Sequence, residues 1–196
     1  QAQIEHTLMV ARFGDPDWLE AYRAAGPARR LGLMDALDQA EPEQLSRLAD
    51  SLAVGGLDVA FMSIYIPADV DTAGEARGFA EGLIDSVESL AADAPDKFGV
   101  ATCTDDVLAL KKAGRIALPM GMENGAAIEN DLQNVEYFYN RGIRYITLTH
   151  GKSNQICDSS YDPEHRWNGL SPFGRELIKE MNRIGIMVDI SRVTDS

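Results

Sequence analysis

Short apolar runs alternate with helical stripes along this chain, and that alternation constrains the fold more than any other feature. Five runs have the length and residue types of buried strands: Ile4–Val10, Val59–Ile66, Ile116–Met122, Tyr145–Thr149 and Ile186–Ile190. Each is too short for an independent helix and rich in Ile, Val, Tyr and Met. Phe98–Thr102 is a sixth candidate, or a brief extended lead-in. Between them, Ala76, Phe79, Ala80, Leu83, Ile84, Val87 and Leu90 recur at the spacing of one helix face. Ile128, Leu132, Val135 and Phe138 repeat that spacing, and Gly142 closes the segment. Phe173, Leu177, Ile178, Met181 and Ile184 form another stripe, with Ser171 as N-cap and Pro172 at the first helical position. A shorter helix is expected from Thr104 to Lys111-Lys112. Asp105 and Asp106 at its start and the lysines at its end suit the helix dipole.

Strands that are apolar throughout and alternate with helices imply a parallel sheet covered by helices. A complete (β/α)8 barrel takes roughly 250 residues and eight strands. With 196 residues and five or six strands, the chain is either a smaller open α/β sheet or part of a barrel. No internal repeat, low-complexity tract or Ser/Pro-rich linker divides it, so residues 1–196 are expected to form a single α/β domain. The polar loop Gly151–Gly169 is too long to be a simple connection, and long loops at the carboxyl ends of parallel strands are where such proteins place ligands.

Charge narrows the partners. With 31 acidic against 18 basic residues and a net charge of −13, nucleic acid and anionic membranes are poor default partners, because both need clustered Lys and Arg. Arg29-Arg30 and Lys111-Lys112 are the densest basic spots, and neither extends into a stripe. No stretch approaches the ~20 consecutive apolar residues of a membrane-spanning helix. The absence of an initiator Met and of a signal-peptide pattern is the expectation for a mature form, and no compartment follows from it. Cys103 and Cys157 lack CxxC or CxxH spacing, which excludes a disulfide scaffold and a zinc knot and leaves two free thiols. There is no Gly-rich phosphate loop, since Gly55-Gly56 follows the helical positions Leu45, Leu48, Ala49 and Leu52. There is no G-x-S-x-G elbow either.

Polar residues gather where strands end. His6 lies in the first run, Glu123 follows Ile116–Met122, His150 closes Arg144–His150, and Asp189 and Arg192 close Ile186–Arg192. In a parallel sheet these positions emerge at one end, where a carboxylate and two imidazoles could hold a metal or do acid–base work. Each also has a structural reading. Glu123 suits a helix first turn, His150 suits a hydrogen-bonded strand end, and His6 suits an incidental place near a terminus. Asp189, inside an apolar strand, needs hydrogen-bond donors to be buried at all. His165 and Trp167 read as surface or lid residues of the long loop.

Several segments carry a resemblance: Gly55–Tyr65, Met120–Gly125, Arg144–His150, Gly169–Gly174 and Lys179–Asp189. In order and spacing they are similar to the renal (membrane) dipeptidase family, zinc metallopeptidases of the amidohydrolase group with a (β/α)8 barrel, from about residue 45 onward. The resemblance implies a partial (β/α)8 barrel corresponding to the N-terminal part of a dipeptidase. It also implies two zinc ions as cofactors, a dipeptide or small peptide-like substrate, and hydrolysis of that dipeptide. Glu123 falls at the family's metal-bridging glutamate. His150 falls at a histidine that binds substrate and stabilises the tetrahedral intermediate.

Two departures accompany it. The family's first strand carries His-x-Asp, both metal ligands, where this chain reads Ile4-Glu5-His6-Thr7, leaving His6 as the metal-ligand candidate there. A further ligand histidine corresponds to Arg192 in Asp189-Ile-Ser-Arg192-Val-Thr194. The family's remaining ligand histidine, a substrate-binding arginine and an acid–base aspartate are expected beyond Ser196. Three expectations follow: Arg192 either pairs with Glu123, directly or through one water, in place of metal, or points to solvent near the C-terminus; the uncovered sheet edges drive self-association; and the chain is either a dipeptidase or a non-catalytic relative with a binding or structural role.

Overall fold

A computed structural model describes residues 56–195. The expected strand Ile4–Val10, His6 and the helical stripe 45–52 lie outside the described residues. Six strands and five helices alternate in chain order: β1 Met62–Tyr65, α1 Ala68–Thr72, α2 Ala76–Asp93, β2 Phe98–Val100, α3 Thr104–Lys112, β3 Ile116–Leu118, β4 Met120–Glu123, α4 Gln133–Asn140, β5 Ile143–Thr147, α5 Pro172–Ile184 and β6 Met187–Asp189. They fall into two compact units, one of residues 56–60 with Ser86–Leu118, the other of Phe61–Asp85 with residues 119–195.

In the first unit β2 and β3 pair in parallel, in the register Phe98 with Ile116 and Val100 with Leu118. Helix α3 packs on this pair and buries Leu110. Its start is held by Asp106, whose carboxylate accepts hydrogen bonds from the Thr102 and Cys103 backbone N–H groups. That satisfies donors the first helical turn leaves open.

The second unit is a four-stranded parallel sheet in the order β1-β4-β5-β6. Parallel neighbours need long crossovers, and helices supply them. α4 packs on β5 and α5, and α5 packs on β6. Ile64, Met120, Met122, Phe138, Ile146, Leu177 and Met181 are fully buried or nearly so, forming the core of this unit. α5 starts as expected, with Ser171 Oγ accepting from the Gly174 N–H, and ends at Gly185 in the left-handed conformation.

Three expectations change in detail. The run Ile116–Met122 is two strands, because Pro119 lacks the N–H that would continue the ladder. The stripe beginning at Ile128 is not one helix. Ile128 ends a 3-10 turn, Gly125–Ile128, and Asp131 accepts from the Gln133 N–H to start α4 afresh. Phe79 is 40% exposed, because Ala76, Ala80 and Ile84 form the line of α2 that is buried and Phe79 lies on its flank.

Candidate active site

The carboxyl ends of the four paired strands place four residues in one transverse row. Register aligns Tyr65 with Glu123, Glu123 with Thr147, and Thr147 with Asp189. Aligned residues of parallel neighbours point to the same face, so one phenol, two carboxylates and a hydroxyl share a single side of the sheet. Ser63, two residues before Tyr65, joins them by the same period.

Glu123 is the centre of this row. Its side chain is 12% exposed. Ser63 Oγ donates to Oε2 at 2.8 Å, and His150 Nε2 lies 3.0 Å from Oε1. The imidazole approach is close but off the line a ring N–H hydrogen bond requires, leaving the buried Nε2 unsatisfied among the described groups. Burial by itself would raise the Glu123 carboxyl. The neighbouring His150 and the Ser63 hydroxyl outweigh it and hold the group at about 2. Asp189 has its own donors, Thr147 Oγ1 at 2.6 Å and the Ser191 N–H at 2.9 Å, which outweigh its burial and keep its carboxyl low. The expectation that a strand-borne Asp189 needs donors is met.

His150 is positioned from two sides. The Tyr65 ring meets it edge-on, with centroids 4.8 Å apart, and Ser159 Oγ donates to the His150 carbonyl. Directly after Glu123, Asn124 adopts a positive φ of 82°, a conformation Asn tolerates better than most residues. Its amide donates to the Ile66 carbonyl and its carbonyl accepts from the Asn154 amide, tying β4 to the long loop. That loop is built around two buried aspartates. Asp158 accepts from the Arg166, Trp167 and Gly169 N–H groups. Asp162 accepts from the Ser153 and Glu164 N–H groups and from Lys152. Trp167 is 40% exposed, its indole donating to the Asn154 carbonyl, and His165 is exposed. Cys103 and Cys157 are free thiols, and burial pushes Cys157 up to about 12.

The sequence therefore identified Glu123 and His150, which meet. It did not single out Ser63, Tyr65, Asn124, Asn154 or Asp158. Ser63 had a signal available: a lone hydroxyl in the apolar run Phe61–Ile66, two residues from Tyr65, marks a side chain on the polar face. The expected pairing of Arg192 with Glu123 is not found. The Arg192 guanidinium lies over the Tyr161 ring instead, 5.1 Å from its centroid, and Glu123 has Ser63 and His150 beside it. The Ser63 hydroxyl donates to that carboxylate and the His150 ring closes over its other oxygen. Among the described residues no group of three or more His, Cys, Asp or Glu side chains could hold a metal ion.

The family model for membrane dipeptidases (peptidase family M19) matches residues 30–196. The chain belongs to the membrane dipeptidase family. Among curated relatives, this membrane dipeptidase family member is 35% identical over 150 residues to dipeptidase verJ of Clonostachys rogersoniana, covering 72% of this chain and 38% of the relative. It is 31% identical over 156 residues to dipeptidase 3 of Rattus norvegicus, covering 78% and 30% respectively. The chain thus spans well under half the length of the relatives it matches. Among solved structures it resembles an amidohydrolase from Pseudomonas aeruginosa, with a TM-score of 0.65 and 28% identity over 74% of this chain and 42% of that one. The dipeptidase AC metallopeptidase gives a TM-score of 0.67 at 23% identity, covering 75% and 47%. The fold is therefore that of part of the family's (β/α)8-type barrel, as the resemblance implied and as one of the two readings the strand pattern had left open. Metal-dependent peptidase chemistry is a property of the family. No helix among the described residues is long and apolar enough to cross a membrane.

Proposed function

We propose that this chain carries part of a dipeptide-hydrolysing site, with Glu123 and His150 at its centre. The observation that carries the reading is their meeting at 3.0 Å at the carboxyl ends of the sheet. This is the end where parallel α/β proteins do their chemistry. A carboxyl held at about 2 remains a carboxylate throughout the neutral range. So weak a base moves protons poorly near pH 7, and Glu123 is suited instead to holding a cation. His150, with its buried Nε2 unsatisfied, is suited to donate to the carbonyl oxygen of a peptide bond as negative charge develops there.

Zinc, with two ions implied by the resemblance, does not fit the described residues alone. Glu123, Asp189 and His150 all reach the strand ends, but no three His, Cys, Asp or Glu side chains among the described residues gather closely enough to hold an ion, whereas zinc takes three or four donors. His6, the further donor expected from the sequence, lies outside the described residues. Supporting a second reading, a peptide-binding relative without turnover, is the Arg192 cation stacked on Tyr161 where the resemblance implies a ligand histidine. Self-association across β6 belongs to the same proposal. Among the described residues β6 is paired on one side only, and Met187 within it and Ile190 just after it are 57% and 67% exposed.

Elemental analysis of the purified chain, followed by assay of Gly-Leu cleavage with added zinc, separates the readings. Turnover abolished by Glu123→Gln and strongly reduced by His150→Asn supports hydrolysis. Binding of Gly-Leu without cleavage supports the second reading, and neither binding nor cleavage at saturating zinc overturns both.

A further inference from the structure

We propose that Arg192 recognises a carboxylate of the substrate and sets a preference for acidic peptides. The identity of the ligand rests on the dipeptide reading; the geometry of the anion site does not. Arg192 lies three residues beyond Asp189, at the same strand ends as Glu123 and Tyr65. Its backbone is pinned from both sides. The Arg192 carbonyl accepts from the Ser160 N–H and Oγ, Val193 bridges to Ser159, and the Thr194 N–H donates to the Asp158 carbonyl. The side chain is equally settled, with the guanidinium over the Tyr161 ring. A guanidinium over an aromatic ring is held without donating a hydrogen bond to a carboxylate, and its N–H groups retain the capacity for a two-pronged grip on one.

The fork has no carboxylate of its own among the described residues. The nearby acids are already satisfied by other donors: Asp158 by three backbone N–H groups, Asp162 by two and Lys152, Asp189 by Thr147 and Ser191, Glu123 by Ser63 beside His150. In a chain of net charge −13, a partly buried cation with no ion pair among the described residues, at a strand-end site, is a place for an anionic ligand. Tyr65, aligned with Glu123 in the strand-end row, contacts the His150 ring.

The carboxylate has two possible sources, the peptide C-terminus or an acidic side chain. Calorimetric titration of the whole chain with reduced-bond (CH2–NH) analogues of Gly-Glu, Gly-Gln and Gly-Gln amide distinguishes them, because these analogues bind without being cleaved. Gly-Glu is expected to bind about tenfold tighter than Gly-Gln, and Arg192→Gln is expected to erase that difference. Equal binding of Gly-Glu and Gly-Gln, with the amide about tenfold weaker in an Arg192-dependent way, assigns the contact to the C-terminal carboxylate and overturns the acidic preference. Arg192→Lys keeps charge without the fork and is expected to fall between the two. Tyr161→Leu is expected to weaken binding of the acidic analogue while sparing the amide. Affinities of Arg192→Gln within twofold of the parent for all three analogues, or no measurable binding of any, overturn the inference. Gly-Glu bound through Arg192 but not cleaved overturns hydrolysis alone. Gly-Glu cleaved with an affinity indifferent to Arg192 overturns this inference alone.

Discussion

Ser63 Oγ on β1 donates a 2.8 Å hydrogen bond to Glu123 Oε2 on β4, joining neighbouring strands beneath the imidazole of His150. The bond does two things at once. It compensates a carboxylate that is nearly out of water, and it orients the other oxygen toward His150.

Ser63→Ala is therefore expected to destabilise the protein by about 2 kcal/mol, the worth of a hydrogen bond to a charged group. It is also expected to raise the Glu123 carboxyl above its value of about 2. Urea unfolding gives the first quantity, and a carbon-detected NMR titration of the Glu123 carboxyl gives the second. An unchanged titration would mean His150 alone sets the carboxylate.

The depressed Glu123 carboxyl makes stability depend on pH in a defined direction. The group falls from 4.5 to about 2 on folding. Above about pH 5 the carboxylate is fully present in both states, and the native environment contributes about 3 kcal/mol. As pH drops below 4.5 the unfolded chain takes up its proton first, so that contribution shrinks and is gone near pH 2. Glu123→Gln lacks it at every pH. Urea midpoints measured in a chelating buffer should place the variant well below the parent at pH 7, with the two converging toward pH 2. A constant gap across that range would contradict the shift.

Asp158 organises the long loop through charge-assisted bonds to three backbone N–H groups. In Asp158→Asn one carboxylate oxygen becomes an NH2 that faces donors instead of accepting from them. A loss of about 3 kcal/mol is expected from these broken bonds. Amide hydrogen exchange should accelerate at Arg166, Trp167 and Gly169, while β4 and β5 keep their protection. Uniform exchange changes across the sheet would contradict a local role.

Gly174 lies in α5, where alanine is ordinarily favoured by about 1 kcal/mol. A Cβ there meets the Ile156 backbone carbonyl, which cannot swing away. Gly174→Ala is thus expected to destabilise by about 2 kcal/mol despite its better helix propensity. At Gly121 the added Cβ meets the Tyr145 ring, a side chain able to shift, so Gly121→Ala is expected to be the milder change. Thermal denaturation of both variants tests the order, and a stabilised Gly174→Ala would show that the loop can move off α5.

Local physics was readable from the chain alone. Periodicity placed α2 and α5, because one buried stripe needs a 3.6-residue repeat, and acidic and basic ends suited to the helix dipole placed α3. Ser171 and Pro172 marked the start of α5 because a helix N-terminus needs an acceptor and tolerates a missing N–H. Apolar runs placed β1 and β4 to β6, because strands covered on both faces have no polar positions to alternate. Glu123 and His150 stood out because each follows such a run. What the pattern could not contain was register. The row Tyr65, Glu123, Thr147 and Asp189 exists only because three strand pairs align at those residues. A slip of one residue in any of them would turn a member of the row to the other face. The break at Pro119 was legible in principle, since proline cannot donate to a ladder. Which strands flank it was not. The partner of Arg192 also depended on tertiary structure. Charge pairing pointed to Glu123, but Ser63 and His150, supplied by distant segments, had already compensated that carboxylate, and the backbone contacts of Ser160 brought the guanidinium onto Tyr161. Residue types and their spacing determined which groups reach the strand ends. Long-range pairing decided which of them meet, because those energies depend on distances the linear order does not carry.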